Sequence, residues 1–336
     1  MIEKFIENEL TLKRWRRFKN RKSAYYCTWF FLFCLVLTFS APMLSNSKPL
    51  YLSVNGNSYF PVFKDYHPKE FGITDSLVVD YRELEADSKV WPPFKWDPYE
   101  SNKDVESYPS GPAGTNYLGT DESGRDVLAR ILYGFKYSIV YAVAVWFFSL
   151  IIGIILGGTM GYVGGKVDLF GQRAVEIFSS IPYLFLLLIL ISIFNPNMIM
   201  LIAITTIFGW IGIGTYIRAE FLKNRKREFV EAARANGASN TRIILKHILP
   251  NSLTPVITFA PFVISGHIIG LASLDYLGLG LPVPTPSWGE LLAQAQKHFT
   301  VAWWLAVYPS IALAVTLTTL NLIGEGVRDA MDPNMT

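Results

Sequence analysis

Cysteine, histidine and charge are all scarce in this 336-residue chain, and each shortage removes a class of function. The two cysteines, Cys27 and Cys34, stand seven residues apart in one apolar stretch. That spacing is about 10 Å along a helix, beyond disulfide reach, so they say nothing about redox compartment. The four histidines, His67, His247, His267 and His298, have no metal-ligand spacing, and no metal is expected. Charged residues make up 17% of the chain while 51% is hydrophobic, which excludes an ordinary soluble enzyme of this size. A phosphate-binding loop is missing too. Gly164-Gly165-Lys166 looks like the end of one, but Met160 and Val167 stand where GxxxxGK[ST] needs Gly and Ser or Thr. No Ser/His pair, Asp/Asp pair or HExxH run is present to serve a membrane-embedded enzyme.

What the chain has is long apolar runs. A helix needs about 20 apolar residues to cross a bilayer, and six stretches reach that length: 25–44, 137–160, 174–194, 198–217, 252–274 and 302–323. The expected class is an all-α integral membrane protein with six transmembrane helices. None has an obvious charged residue near its middle. A charge there costs roughly 2.5 to 3.5 kcal/mol, so a carrier driven by a bound ion would show one. The absence argues for energy supplied from outside the membrane.

Charge asymmetry sets the topology. The first 23 residues hold eight bases (Lys4, Lys13, Arg14, Arg16, Arg17, Lys19, Arg21, Lys22) against Glu3, Glu7 and Glu9, which places 1–24 in the cytoplasm. The loop after the fourth run, 218–250, is equally basic and falls on the same side after four crossings. Six crossings return 325–336 there as well. Between residues 46 and 120 acids outnumber bases, so 45–117 is assigned outside. The first run, 25–44, reads as an uncleaved anchor: it exceeds a signal peptide's apolar core, and no small-x-small site follows it.

That outside segment is too long to lack structure of its own. Asn55-Gly56 between two extended runs predicts a β-hairpin, because both turn residues must accept positive φ. The run Trp91 to Pro98 is too rich in proline to be helical throughout. Docking of a soluble partner and capping of the pore mouth are both open for this segment. Next, in 118–136, comes Leu118-Gly119-Thr120-Asp121-Glu122-Ser123-Gly124-Arg125-Asp126, where Thr120 or Asp121 is expected to cap a helix. Val127, Leu128, Ile131 and Leu132 then share a face, as in a helix lying at the membrane interface.

Within 137–324, Gly153, Gly157, Gly161 and Gly165 repeat at every fourth position, a packing seam for another helix. Pro182, Pro255, Pro261 and Pro309 mark kinks. Thr258, Ser265 and His267 are weak candidates for a polar substrate path. Between the fourth and fifth runs stands Glu231-Ala232-Ala233, then Gly237 six residues after Glu231, and Leu249-Pro250 twelve residues after Gly237. A helix through Glu231 is expected to end at Gly237 in left-handed conformation. Ser239 or Asn240 then caps a second helix, with Ile243, Ile244 and Ile248 toward the bundle, that Pro250 closes.

The 231–250 loop resembles the EAA loop of ABC importer permeases, and 118–126 resembles the LGTDxxGRD signature of their dipeptide/oligopeptide branch. His247 departs from the commonest residue of the loop, Ile, although this branch often carries His there. The resemblance extends over nearly the whole chain, to Gly161–Asp168 and to Glu325-Gly326-Val327-Arg328-Asp329-Ala330 with Asp332-Pro333. Within the branch it is most similar to permeases of peptide importers of the microcin C class. It implies a type I, MetI-like permease with a periplasmic insertion between helices 1 and 2, forming half of a pore in the bacterial inner membrane and doing no chemistry. It implies that Glu231, Ala232, Ala233, Gly237, Ser239, Leu249 and Pro250 engage an ATPase subunit that binds Mg-ATP, this chain itself holding no cofactor. The other implied partners are a second homologous permease, a periplasmic solute-binding protein, a peptide or peptide-like substrate and membrane lipid; nothing points to nucleic acid. For sister branches the resemblance extends the implied cargo to nickel chelates or glutathione.

Overall fold

The apolar runs fold as long helices in a computed structural model that describes residues 8–74, 76–194 and 196–332. Lys4, Glu3, Glu7 and Pro333 lie outside the described residues. In chain order the helices are α1 (Glu9–Asn20), α2 (Lys22–Phe39), α3 (Ala41–Leu44), α4 (Val127–Val163), α5 (Gly165–Ser179), α6 (Tyr183–Ile193), α7 (Met198–Asn224), α8 (Glu228–Ala235), α9 (Asn240–Ile243), α10 (Leu249–Tyr276), α11 (Trp288–Lys297) and α12 (Trp304–Met331). Among the described residues five helices are long and apolar enough to cross a membrane: α2, α4, α7, the continuous run 240–276 and α12. Counted as one span, α5 and α6 make a sixth, bent by 69° at a break that ends at Pro182.

Three boundaries differ from expectation. No separate interfacial helix precedes the second span: α4 runs unbroken for 37 residues from Val127. Its first residues are buried against α11 and α12 rather than lying on lipid, with Val127 fully covered beside Leu291 and Leu305. Neither Thr120 nor Asp121 caps it. Asp126 does, accepting the Ala129 N–H at 2.8 Å. At the other loop, Pro250 closes nothing. From α9 the chain passes through one π turn, Ile244–Ile248, into α10, with Pro250 in that helix's first turn, where proline lacks only an N–H the helix start leaves unpaired anyway.

The glycine stripe builds the centre. A Cβ on Gly157 would stand 2.2 Å from the carbonyl oxygen of Gly214, and one on Gly161 2.6 Å from that of Arg218. Only glycine lets α4 and α7 approach so closely. Gly165 has nothing within 4 Å of its Cβ position and lies outside this seam. Apolar clusters extend the packing: Tyr141, Val145, Leu187, Leu201 and Leu271 join α4, α6, α7 and α10, and Phe135, Ile139, Ile268 and Leu320 join α4 to α10 and α12.

The segment between α3 and α4 forms a three-stranded antiparallel sheet, β1 (Tyr51–Val54), β2 (Asn57–Tyr59) and β3 (Ser88–Val90), in the order β2-β1-β3. The hairpin turns at Asn55 and Gly56 with φ of 54° and 76°, as their sequence demands. The third strand, Ser88–Val90, was not legible from the hairpin. Leu52, Val79 and Tyr81 form a small core beneath the sheet. Ser45 donates to the Trp96 carbonyl at 2.7 Å while its own carbonyl accepts from the Tyr133 hydroxyl at 3.1 Å, tying the segment to α4.

Candidate functional site

At one end of the core, the α7–α10 connection presents the 231–250 residues. Asn224 donates to Ser252 at 3.1 Å, both buried, and this closes the base of the connection. The helix α8 ends as the sequence predicts. Gly237, with φ of 77°, donates its N–H to the Arg234 carbonyl, and Ala238 donates to that of Ala233, the paired bonds that satisfy a helix end through one left-handed residue. Ser239 then caps α9 by accepting the Arg242 N–H at 3.4 Å, whereas Asn240 uses its side-chain oxygen to accept the Tyr162 hydroxyl at 2.7 Å.

Two faces result. Val230, Ile243 and Ile248 are fully buried together with Ile217 and Phe221. Glu231, Ala232, Arg234 and Phe229 face outward. The Glu231 carboxylate has no hydrogen bond or ion pair among the described residues, and Ala232 beside it offers almost no side chain. The face is therefore open, with an exposed carboxylate beside a flat surface. Leu249 and Pro250 stand half-buried and exposed at the start of α10. The end of α4 is fastened to both flanks of the connection, since the Tyr162 carbonyl also accepts from Arg225 at 2.9 Å. One turn on, Asp168 of α5 forms a two-pronged pair with Arg218 of α7, one prong at 2.6 Å.

At the opposite end, residues 118–126 are folded inward. Thr120, Asp121, Gly124, Arg125 and Asp126 are all buried, and Leu118 is half-buried. Asp121 accepts N–H bonds from Ser123 and Arg125, both at 2.9 Å, and its second oxygen accepts the Arg125 Nε at 2.7 Å. Arg125 reaches on to Glu290 at 2.9 Å. Glu290 also holds Arg130, which is fully buried, stands 3.4 Å from Asp121 and donates to the carbonyls of Pro98 and Pro284 at 3.0 and 3.2 Å. Two cations and two carboxylates thus interlock, as buried charges must. Thr120 accepts the Ser110 N–H through its hydroxyl and the Trp304 indole N–H through its carbonyl, at 2.8 and 3.0 Å. Gly119 lies against that indole, a Cβ there falling 2.7 Å from its nitrogen. Gly124, with φ of 77°, sits under the Tyr108 ring, 2.4 Å from where a Cβ would be. Burial pushes the Asp126 carboxyl above the ordinary carboxylate range, against the pull of the Ala129 N–H and of Asn116, which donates at 2.8 Å.

Sequence reasoning missed Arg130 and Glu290. A signal was available: an arginine four residues into an apolar helix requires a partner, and Glu290 is the sole acid between Tyr276 and Trp304. Trp288 was missed with them; its ring stacks on Phe135 at 5.6 Å and its N–H reaches the Ile131 carbonyl.

The three candidates for a substrate path do not share a face. Thr258 and Ser265 are seven residues apart and buried on one side of α10, where the Thr258 hydroxyl bonds back to the Thr254 carbonyl at 2.8 Å. His267 lies about 160° round the helix from Ser265, half-buried and facing Gly209 of α7.

The chain is similar to known proteins. A family model described as "Binding-protein-dependent transport system inner membrane component" matches residues 149–336. The chain is 41% identical over 329 residues to the inner membrane ABC transporter permease protein YejE of Escherichia coli (strain K12), covering 96% of both chains. It is 36% identical over 359 residues to the peptidoglycan transport system permease protein YejE of Agrobacterium fabrum, covering 97% of this chain and 93% of that one. To the oligopeptide transport system permease protein OppC of Haemophilus influenzae it is 40% identical over 220 residues, 66% of this chain and 71% of the other.

Proposed function

Because the chain belongs to the family of binding-protein-dependent transport system inner membrane components, we propose that it is a permease subunit of an ATP-driven ABC importer for peptides or peptide-like compounds. It is a multi-pass inner membrane protein that works with ATPase subunits and a substrate-binding protein. The observation that carries the mechanism is the outward face of Glu231 and Ala232 on a short helix set between two membrane-length helices. An ATPase subunit seated there drives α7 and α10 together, because Asn224 and Ser252 join them at the base and Tyr162 joins both flanks to α4. Mg-ATP belongs to that subunit.

The finer reading follows from charge. The basic N-terminus, the 218–250 connection and the C-terminus lie in the cytoplasm, and the sheet-bearing segment lies in the periplasm. A second, homologous permease completes the pore. The cargo is a short peptide or a compound containing one, the chemistry common to relatives named for oligopeptide and peptidoglycan transport. The test is reconstitution of the importer with its second permease, ATPase and binding protein. ATP hydrolysis should rise when the binding protein is loaded with peptide. Hydrolysis indifferent to loaded binding protein, with the complex intact, overturns the proposal.

A further inference from the structure

We propose that the basic arc formed by α1 and the start of α2 binds the phosphate headgroups of anionic phospholipids. The surface is built by what α1 does with its other face. Trp15 stacks on Phe18 with ring centres 6.1 Å apart and meets Tyr25 edge-on. Phe18 and Ala24 close on Gly326 of α12, where a Cβ would lie 2.2 Å from that of Ala24. Arg21, the one residue between the two helices, pairs with Glu325 and Asp329. Arg17 donates to the Asp332 carbonyl at 2.9 Å. These contacts fix α1 against the end of α12 and so fix which way its remaining side chains point.

At about 100° per residue, Lys13, Arg16 and Arg17 fill an arc opposite Trp15 and Phe18, Lys19 continues it to within about 40° of Trp15, and all four are exposed. Lys22 extends the patch onto α2. Lys13, Lys19 and Lys22 make no hydrogen bond or ion pair among the described residues. One turn further along α2, Tyr26 and Trp29 are 66% and 50% exposed, an amphipathic aromatic pair at the point where the chain enters its first apolar run. Four to eight bases just outside a membrane helix sit within the negative surface potential of a leaflet that carries anionic lipid, which attracts each of them. An acidic protein surface would fit the charge but not the adjoining exposed aromatics, which continue into the bilayer. The inference rests on the proposed cytoplasmic position of the N-terminus.

The test uses the whole importer with Lys13→Gln, Lys19→Gln and Lys22→Gln combined, beside the same three positions changed to Arg. Phosphatidylglycerol and phosphatidylcholine retained on the purified complex are counted by native mass spectrometry at two salt concentrations. The wild type and the Arg variant should retain phosphatidylglycerol preferentially, more so at low salt. The Gln variant should lose that preference by at least about tenfold. Retention unchanged in the Gln variant overturns the proposal. So does unchanged lipid with reduced recovery of the ATPase, which would assign the arc to an acidic protein face. Labelling Thr11→Cys with an impermeant maleimide, after Cys27 and Cys34 are replaced by serine, tests the premise separately. Reaction from the outer side of intact cells removes the orientation, whatever the lipid counts.

Discussion

The two ends of the permease core use their signature residues in opposite ways. Residues 118–126 fold inward, where Asp121 and Arg125 interlock with Arg130 and Glu290 and every one of these charges has its partner within the chain. Residues 230–250 turn Val230, Ile243 and Ile248 fully inward and leave Glu231 on the surface, unpaired among the described residues. A motif of charged residues can therefore be a brace or a handle, and burial distinguishes them. Buried charges that satisfy one another hold α4, α11 and the α10–α11 loop as one body. An exposed charge without a partner among the described residues, next to a residue as small as Ala232, is what the proposed seat for an ATPase subunit needs.

Removing a charge from the brace should have the largest effect on stability. In Arg130→Ala, Glu290 and Asp121 keep Arg125 as their one cation within the cluster, and the carbonyls of Pro98 and Pro284 lose this donor. Breaking a buried pair costs about 3 to 5 kcal/mol. Thermal unfolding of the purified complex should shift down accordingly, and accumulation in the membrane should fall. A variant as stable as wild type would mean that the cluster is solvated and that the two ends do not differ as described.

An intermediate effect is expected along the seam joining the two ends. Gly157→Val places a side chain on the Gly214 backbone, and overpacking costs about 1 to 3 kcal/mol. If α4 transmits between brace and handle, coupling of ATP hydrolysis to transport should also weaken in the protein that still folds. Hydrolysis and transport reduced in equal proportion would confine the seam to stability.

The seam was legible in the sequence because a small residue at every fourth position has few other uses. So were the hairpin at Asn55-Gly56 and the helix end at Gly237, each set by a local backbone requirement. What escaped was non-local. Arg130 and Glu290 are 160 residues apart, and neither position has a period or a turn rule that points to the other. The strand Ser88–Val90 escaped for the same reason, since it pairs with β1 across a long excursion. The independent interfacial helix failed on a boundary. Asp126, rather than Thr120, supplies the cap, and nothing after Val127 breaks the helix before Gly164.

Glu231→Gln should change stability least, and it separates the two ends most sharply. The residue is exposed and without an ion pair among the described residues, so its loss should alter stability by no more than about 0.5 kcal/mol. Glutamine keeps the size and the helix propensity of the side chain while removing its charge. A handle whose charge meets a partner's counter-charge should then bind the ATPase subunit more weakly, with transport falling several-fold at unchanged amounts of permease in the membrane. Raising the ATPase concentration in a reconstituted system should recover part of that loss, because binding rather than folding is impaired. If Glu231 were part of an internal brace like Arg130, the order would reverse, with a lower unfolding temperature and no recovery at any ATPase concentration.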